Sequence, residues 1–317
     1  MSGHLHLGAG PEFDRLRAIF ARLAQVGHAL GDDCALIRVQ RATLALSIDL
    51  SLEGVHFRRE WLSLQDIGYR AAAAALSDLA ADAARPVGVL VSVAVPGDAR
   101  AGGVDESAEI MTGVGVAAGG VGAKVFGGDL ARAPKILVDV CAIGSAPRPV
   151  RRSGAQPGDG LWMTGELGGM ALALQELLSG RRPLPPLEQR FARPVPRIAA
   201  AQWLASQGAR AMIDLSDGLS SDAAHLAAAS GVSLEIVLEQ VPCWSGAEPL
   251  LAVASGEEYE LLAAMPPSFG QRHARRFEAS HAVRLTRIGT CSEGSGVRFT
   301  HQGIPVTPPA GYDHFAG

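Results

Sequence analysis

The chain is poor in the features that would place it in most familiar classes. Only four cysteines occur in 317 residues (Cys34, Cys141, Cys243 and Cys291), and no two form a CxxC pair. That scarcity argues against a disulfide framework or a cysteine-ligated zinc site, and it fits a reducing compartment. No basic run is present: 28 basic residues against 32 acidic ones leave a formal charge of -4, which argues against a nucleic-acid surface. Residues 1–10 lack the basic start and apolar core of a secretory signal. The longest apolar stretch, residues 87–96, is too short to span a bilayer and reads as a strand. A cytoplasmic location, with no membrane or nucleic-acid partner, is expected.

The familiar nucleotide and hydrolase motifs are missing too. There is no G-x-x-x-x-G-K-[ST] loop, no H-R-D or D-F-G set and no G-x-S-x-G. Gly113-Val114-Gly115-Val116-Ala117-Ala118 loosely matches a dinucleotide fingerprint, but it follows a helix-like segment rather than a strand. No repeat of fixed short period appears.

What is there is long enough for two domains and for a large core. Apolar spacing predicts a helix over 12–26 and an alanine-rich helix over 66–84, with Asp78 and Asp82 on one face. Residues 43–50 alternate: Leu44, Leu46, Ile48 and Leu50 point one way, Ser47 and Asp49 the other. Strands are expected over 87–95, 123–126 and 136–143, with a helix over 108–120 and a turn at Gly127-Gly128-Asp129. Proline, arginine and glycine over 147–157 mark a boundary, giving domains 1–147 and 148–317. The second half reads as strands over 161–164, 211–215, 233–238, 259–264, 284–289 and 297–300. Helices are expected after Gly169 and over 220–229. Strands and helices mix without strict alternation, so the fold class is α+β: a mixed N-terminal domain and a C-terminal α/β lobe.

Asp33, Asp49, Asp78, Asp129, Asp214 and Asp217 lie beside small-residue loops or on an otherwise apolar helix. Each alone reads as a cap, a turn or a solvated loop. Together they form an oxygen-only set without histidine or cysteine clusters, which suits a hard cation such as magnesium.

Gly31-Asp32-Asp33-Cys34-Ala35, Ser47-Ile48-Asp49, Glu53-Gly54-Val55-His56-Phe57, Leu76-Ser77-Asp78-Leu79-Ala80, Gly127-Gly128-Asp129, Arg152-Ser153-Gly154, Asp214-Leu215-Ser216-Asp217-Gly218-Leu219, Gly256-Glu257-Glu258-Tyr259-Glu260-Leu261 and Gly311-Tyr312-Asp313-His314-Phe315 resemble, in order, the motifs of the thiamine-monophosphate kinase family. The resemblance runs from about Gly31 to the last residues. It implies ATP-dependent phosphorylation of thiamine monophosphate by direct in-line transfer, in a homodimer whose N-terminal sheets pair. It implies several magnesium ions held by Asp33, Ser47, Ile48 (through its main chain), Asp49, Asp78, Asp129, Asp214 and Asp217. Gly128, Asp129, Arg152 and Ser216 would bind ATP; His56, Glu257 and Tyr312 would bind thiamine monophosphate. No general base is implied, because the acceptor phosphate is already ionised at neutral pH.

The chain also departs from that pattern. Ile48, Leu50 and Leu130 stand where threonines are usual, Ala75 for Asn, Ser255 for Gly and Glu258 for Asp. Two other readings stay open: an ATP-using relative with a different acceptor, and a non-catalytic nucleotide or thiamine-phosphate binder.

Overall fold

A computed structural model describes residues 5–23, 26–97 and 105–315. Its first helix, α1 (Pro11–Leu23), buries none of its side chains. The expected continuation through residues 24 and 25 lies outside the described residues.

Five strands of the first half form one sheet: β1 (Ala35–Val39), β2 (Ala42–Leu52), β3 (Arg85–Val95), β4 (Lys124–Arg132) and β5 (Leu137–Ser145), in the order β1-β2-β5-β3-β4. Only β3 and β4 run parallel, and α3 (Glu106–Gly120) lies in the crossover such a pair requires. α2 (Leu64–Ala81) starts at Ser63, whose side chain accepts from the Asp66 amide, and ends at Asp82. α2 and α3 cross backbone to backbone. A Cβ added at Gly68 would lie 1.9 Å from the Ile110 carbonyl, and one at Gly113 1.8 Å from that of Gln65.

Seven strands of the second half form the other sheet: β6 (Gly160–Thr164), β7 (Ala211–Asp214), β8 (Ser233–Val237), β9 (Leu261–Met265), β10 (Leu285–Ser292), β11 (Gly296–His301) and β12 (Ile304–Val306), ordered β12-β11-β8-β10-β6-β9-β7. Around it lie α4 (Gly169–Leu178), α5 (Pro185–Ala192), α6 (Ile198–Ser206), α7 (Leu219–Ser230), α8 (Pro249–Val253) and α9 (Gln271–His281). α6 and α9 have no counterpart in the sequence reading. α9 buries only Ala274 and Phe277, so its apolar signal is thin.

The alanine-rich α2 joins the halves. It is buried on nearly every side, as a helix apolar all round must be. One side meets the first sheet; the other meets α6 and β7. The larger core is therefore continuous, from Leu76 and Ile110 to Leu204, Phe277 and Leu285.

One expectation needs correction, and one open point is settled. β4 runs straight through Gly127-Gly128-Asp129 as far as Arg132, so those residues sit within a strand rather than a turn. Pairing with β3 overrides the local turn signal of two glycines. In β2 the polar face is the covered one: Ser47 is buried under α2, while Ile48 is 71% exposed and Leu50 also faces outward. That outer face of the sheet, which also carries Leu90 and Cys141, is bare in the single chain.

Candidate active site

The carboxylates converge where α2 passes between the two halves. Asp33 stands on the turn before β1, Asp78 in the last turn of α2 and Asp214 at the end of β7; one oxygen from each lies within 4.8 Å of the others. Neighbours hold them in place. The Ser47 hydroxyl on β2 donates to Asp78, and the Ser77 hydroxyl donates to Asp214 at 2.5 Å. Asp33 receives the Arg152 guanidinium at 2.6 Å, and the Arg152 amide donates to Asp32 at 3.1 Å.

The charges are uncomfortable in this place. Burial, with Asp33 close by, pushes Asp214 up to about 7. Burial, then Glu257 and Asp139, raises Asp49 to about 6. Burial, then Glu12 and Asp313, raises Asp217 to about 7. Asp78 is raised well above the carboxylate range, first by burial and then by Asp214. One oxygen of Asp33 is buried with no hydrogen-bond partner. A confined oxygen-rich cluster with an orphaned acceptor fits a hard divalent cation.

Beside the cluster lies a cavity of about 600 Å³ lined by Asp49, His56, Ser216, Asp217, Glu257 and Tyr312, among others. His56 accepts the Leu52 amide on Nδ1 at 3.0 Å, which leaves the proton on Nε2. Burial lowers its pKa, with His314 adding to the effect. Tyr312 is tied to the site by its own amide, which donates to the Asp217 carbonyl at 2.9 Å. Glu257 and Tyr259 both have left-handed backbone, with φ of 57° and 51°. Their amides are pinned to the Ser216 and Leu215 carbonyls, which holds that strain.

Thus Asp33, Ser47, Asp78, Asp214 and Arg152 meet in one cluster, and Asp49 and Asp217 bridge it to the cavity. The Ile48 side chain points away, and only its main chain faces this side. Asp129 and Gly128 are not brought in. By register Asp129 shares the outer sheet face with Ser92 and Asp139, whereas Asp49 faces inward three strands away; three strand spacings amount to roughly 14 Å.

Several site residues went unread in the sequence. Arg70 on α2, 5% exposed, donates to Glu257 and to the Phe191 carbonyl. Only the helical phase of Arg70 relative to Asp78 could have hinted at this. Asp222 receives the Asp217 and Gly218 amides at 3.2 and 3.0 Å, and it forms a second close group with Asp217 and His225. Two departures from the family pattern touch each other: the Ser255 hydroxyl donates to Glu258 at 2.6 Å, and Glu258 also receives the Gly168 and Met170 amides and Arg190. No helix among the described residues is long and apolar enough to cross a membrane.

Residues 31–146 match the N-terminal domain of the AIR synthase related proteins, and residues 156–302 match their C-terminal domain. The thiamine-monophosphate kinase of Salmonella typhimurium is 34% identical over 96% of this chain and 96% of its own length. That of Aquifex aeolicus is 31% identical over 90% of this chain and 92% of its own. A solved structure described as AaThiL complexed with AMPPCP and TMP superposes with a TM-score of 0.84 at 31% identity, covering 96% of this chain and 97% of that one. The hydrogenase maturation protein HypE, 16% identical with a TM-score of 0.71 over 97% and 96%, shares the fold alone.

Proposed function

This chain belongs to the thiamine-monophosphate kinase family, enzymes that transfer phosphate to a phosphate acceptor, and on that premise we propose how its own residues carry the reaction. ATP and thiamine monophosphate meet at the junction of the cluster and the cavity, and the γ-phosphoryl group passes in line to the acceptor phosphate. The observation that carries this reading is the convergence of Asp33, Asp78 and Asp214, drawn from both halves, beside a cavity lined by His56, Glu257 and Tyr312.

Phosphoryl transfer needs positioning and charge neutralisation more than covalent help. Asp33, Asp49, Asp78, Asp214 and Asp217, with the Ser47 hydroxyl and the Ile48 main chain, would hold magnesium. Those ions, when bound, supply the positive charge that lets two polyanions approach. Arg152 stays protonated beside Asp32 and Asp33 and adds a fixed cation. Ser216, which lines the cavity beside Asp217, would bind ATP where the cavity meets the cluster. The acceptor phosphate is an oxyanion at neutral pH, so no side chain has to take a proton. The Tyr312 ring and the Glu257 carboxylate suit the cationic thiazolium, with Arg70 fixing the carboxylate's direction.

Residues 1–147 and 148–317 act as the two domains. Their joint unit is a homodimer formed through the bare outer face of the five-stranded sheet, whose exposed Ile48, Leu50 and Leu90 need covering. Gly128 and Asp129 then serve ATP across the dimer rather than within one chain.

The test is a product assay with purified protein, ATP, magnesium and thiamine monophosphate. Thiamine diphosphate formed at one ADP per turnover supports the reading. ADP release without it points to another acceptor, and ATP binding without either product points to a binding protein.

A further inference from the structure

The cavity has a wall that none of the motifs supplies. Glu12, in the first turn of α1, lines it together with Asp49, His56, Asp217, Glu257 and Tyr312. Since α1 buries no side chain of its own, the core does not hold it there. Specific contacts do. The Phe13 ring packs tilted against His225 with centroids 3.9 Å apart, the Glu12 amide donates to Asp313 at 3.4 Å, and the Arg15 guanidinium sits 4.2 Å over the Phe315 ring. The main chain before the helix also rests on His225: a Cβ at Gly8 would lie 2.4 Å from its Nδ1. The N-terminal segment and the C-terminal tail thus clasp each other at the cavity mouth and carry a carboxylate into it.

The charge inventory suggests what that carboxylate is for. The lining holds four carboxylates (Glu12, Asp49, Asp217 and Glu257) and no lysine or arginine. Arg70, just behind, is already taken by Glu257 and the Phe191 carbonyl. Among the described residues, Glu12 belongs to neither close group able to ligate a metal. Its charge reaches the wall where the ring of the substrate would rest: after burial and Glu257, it helps raise the Tyr312 hydroxyl.

We propose that Glu12 is a specificity residue that recognises the organic cation of the acceptor, the thiazolium ring, by charge. This rests on the kinase reading above. A carboxylate facing a partly desolvated cation is worth enough to select a charged ring over a neutral one of equal shape.

The experiment is steady-state kinetics of Glu12→Gln against wild type, with inhibition by a neutral thiazole ethyl phosphate as a second measurement. The variant is expected to raise the KM for thiamine monophosphate about tenfold. The KM for ATP and kcat should stay within about twofold of wild type. Inhibition by the neutral thiazole phosphate should be unchanged, a selectivity that mere loosening of the clasp would not produce. An unchanged acceptor KM overturns the proposal, as does a shift confined to the magnesium dependence or an equal loss of the neutral ligand. If Glu12→Gln does not fold, Glu12→Asp replaces it, with a smaller rise in the same KM expected. Wild type that makes no thiamine diphosphate overturns the kinase reading itself; wild type that turns over beside an unaffected Glu12→Gln overturns only the role of Glu12.

Discussion

Asp49→Asn should stabilise the metal-free protein while disabling it. Asp49 is raised from the ordinary 3.8 to about 6 by burial, Glu257 and Asp139. A carboxyl group held more tightly protonated in the folded chain contributes stability below the unfolded pKa, and that contribution is lost as pH rises through the folded one. Above about pH 6 the ionised group costs the fold at most about 3 kcal/mol, from a shift of roughly two units. Asparagine has nearly the same shape and no charge. At pH 7.5 and without divalent ions, the variant should therefore melt above wild type, by up to about 6 °C for a chain this long. Added magnesium should raise the melting temperature of wild type more than that of the variant, because an ion binding only the folded state stabilises it by mass action. Turnover to thiamine diphosphate should fall about a hundredfold or more, the scale of losing one preorganised electrostatic group. Differential scanning fluorimetry with and without EDTA, together with the product assay, reads all three. A variant that melts below wild type without metal, or a folded one that retains near-normal turnover, refutes the reasoning.

The remaining predictions concern the cluster, the helix crossing and the bare sheet face. Asp214 and Asp217, both raised to about 7, carry the same sign as Asp49, so EDTA-treated protein should melt higher at pH 5 than at pH 7.5, and millimolar magnesium should shrink that difference. A flat profile would contradict the crowding of the carboxylates. Gly113→Ala would place a Cβ 1.8 Å from the Gln65 carbonyl, so α2 and α3 must part. We expect a loss of about 2–3 kcal/mol by denaturant titration, and an unchanged midpoint would mean the helices do not touch there. Leu90→Asp puts a charge on the outer sheet face and should convert a dimer to a monomer by light scattering, with activity lost if Asp129 serves ATP across the dimer. A dimer that survives unchanged would send the interface elsewhere.

The sequence by itself determined a good deal. Alternation in residues 43–50 put Ser47 and Asp49 on one face, and they share one in the fold. The ordered motifs identified the family, and the acidic residues Asp33, Asp78 and Asp214 do converge. These features were legible because they rest on local periodicity or on motif order, both written along the chain.

Other features were decided only by tertiary structure. Which face of β2 is covered could not be read from alternation, because period two tells faces apart without saying what packs on either. There the small side chains of α2 let aspartates and serines sit beneath a helix, and the leucines were left outside. Asp129 carries the same motif signal as Asp49, yet pairing of β4 with β3 turns it to the opposite face. Arg70 and Glu12 bear no motif and lie 187 and 245 positions from Glu257; Arg70 meets it directly, and Glu12 shares its cavity. Their place follows from the burial of α2 between the halves and from the clasp of the two chain ends. Such long-range packing leaves no local trace, because it depends on what lies opposite in space rather than next in sequence.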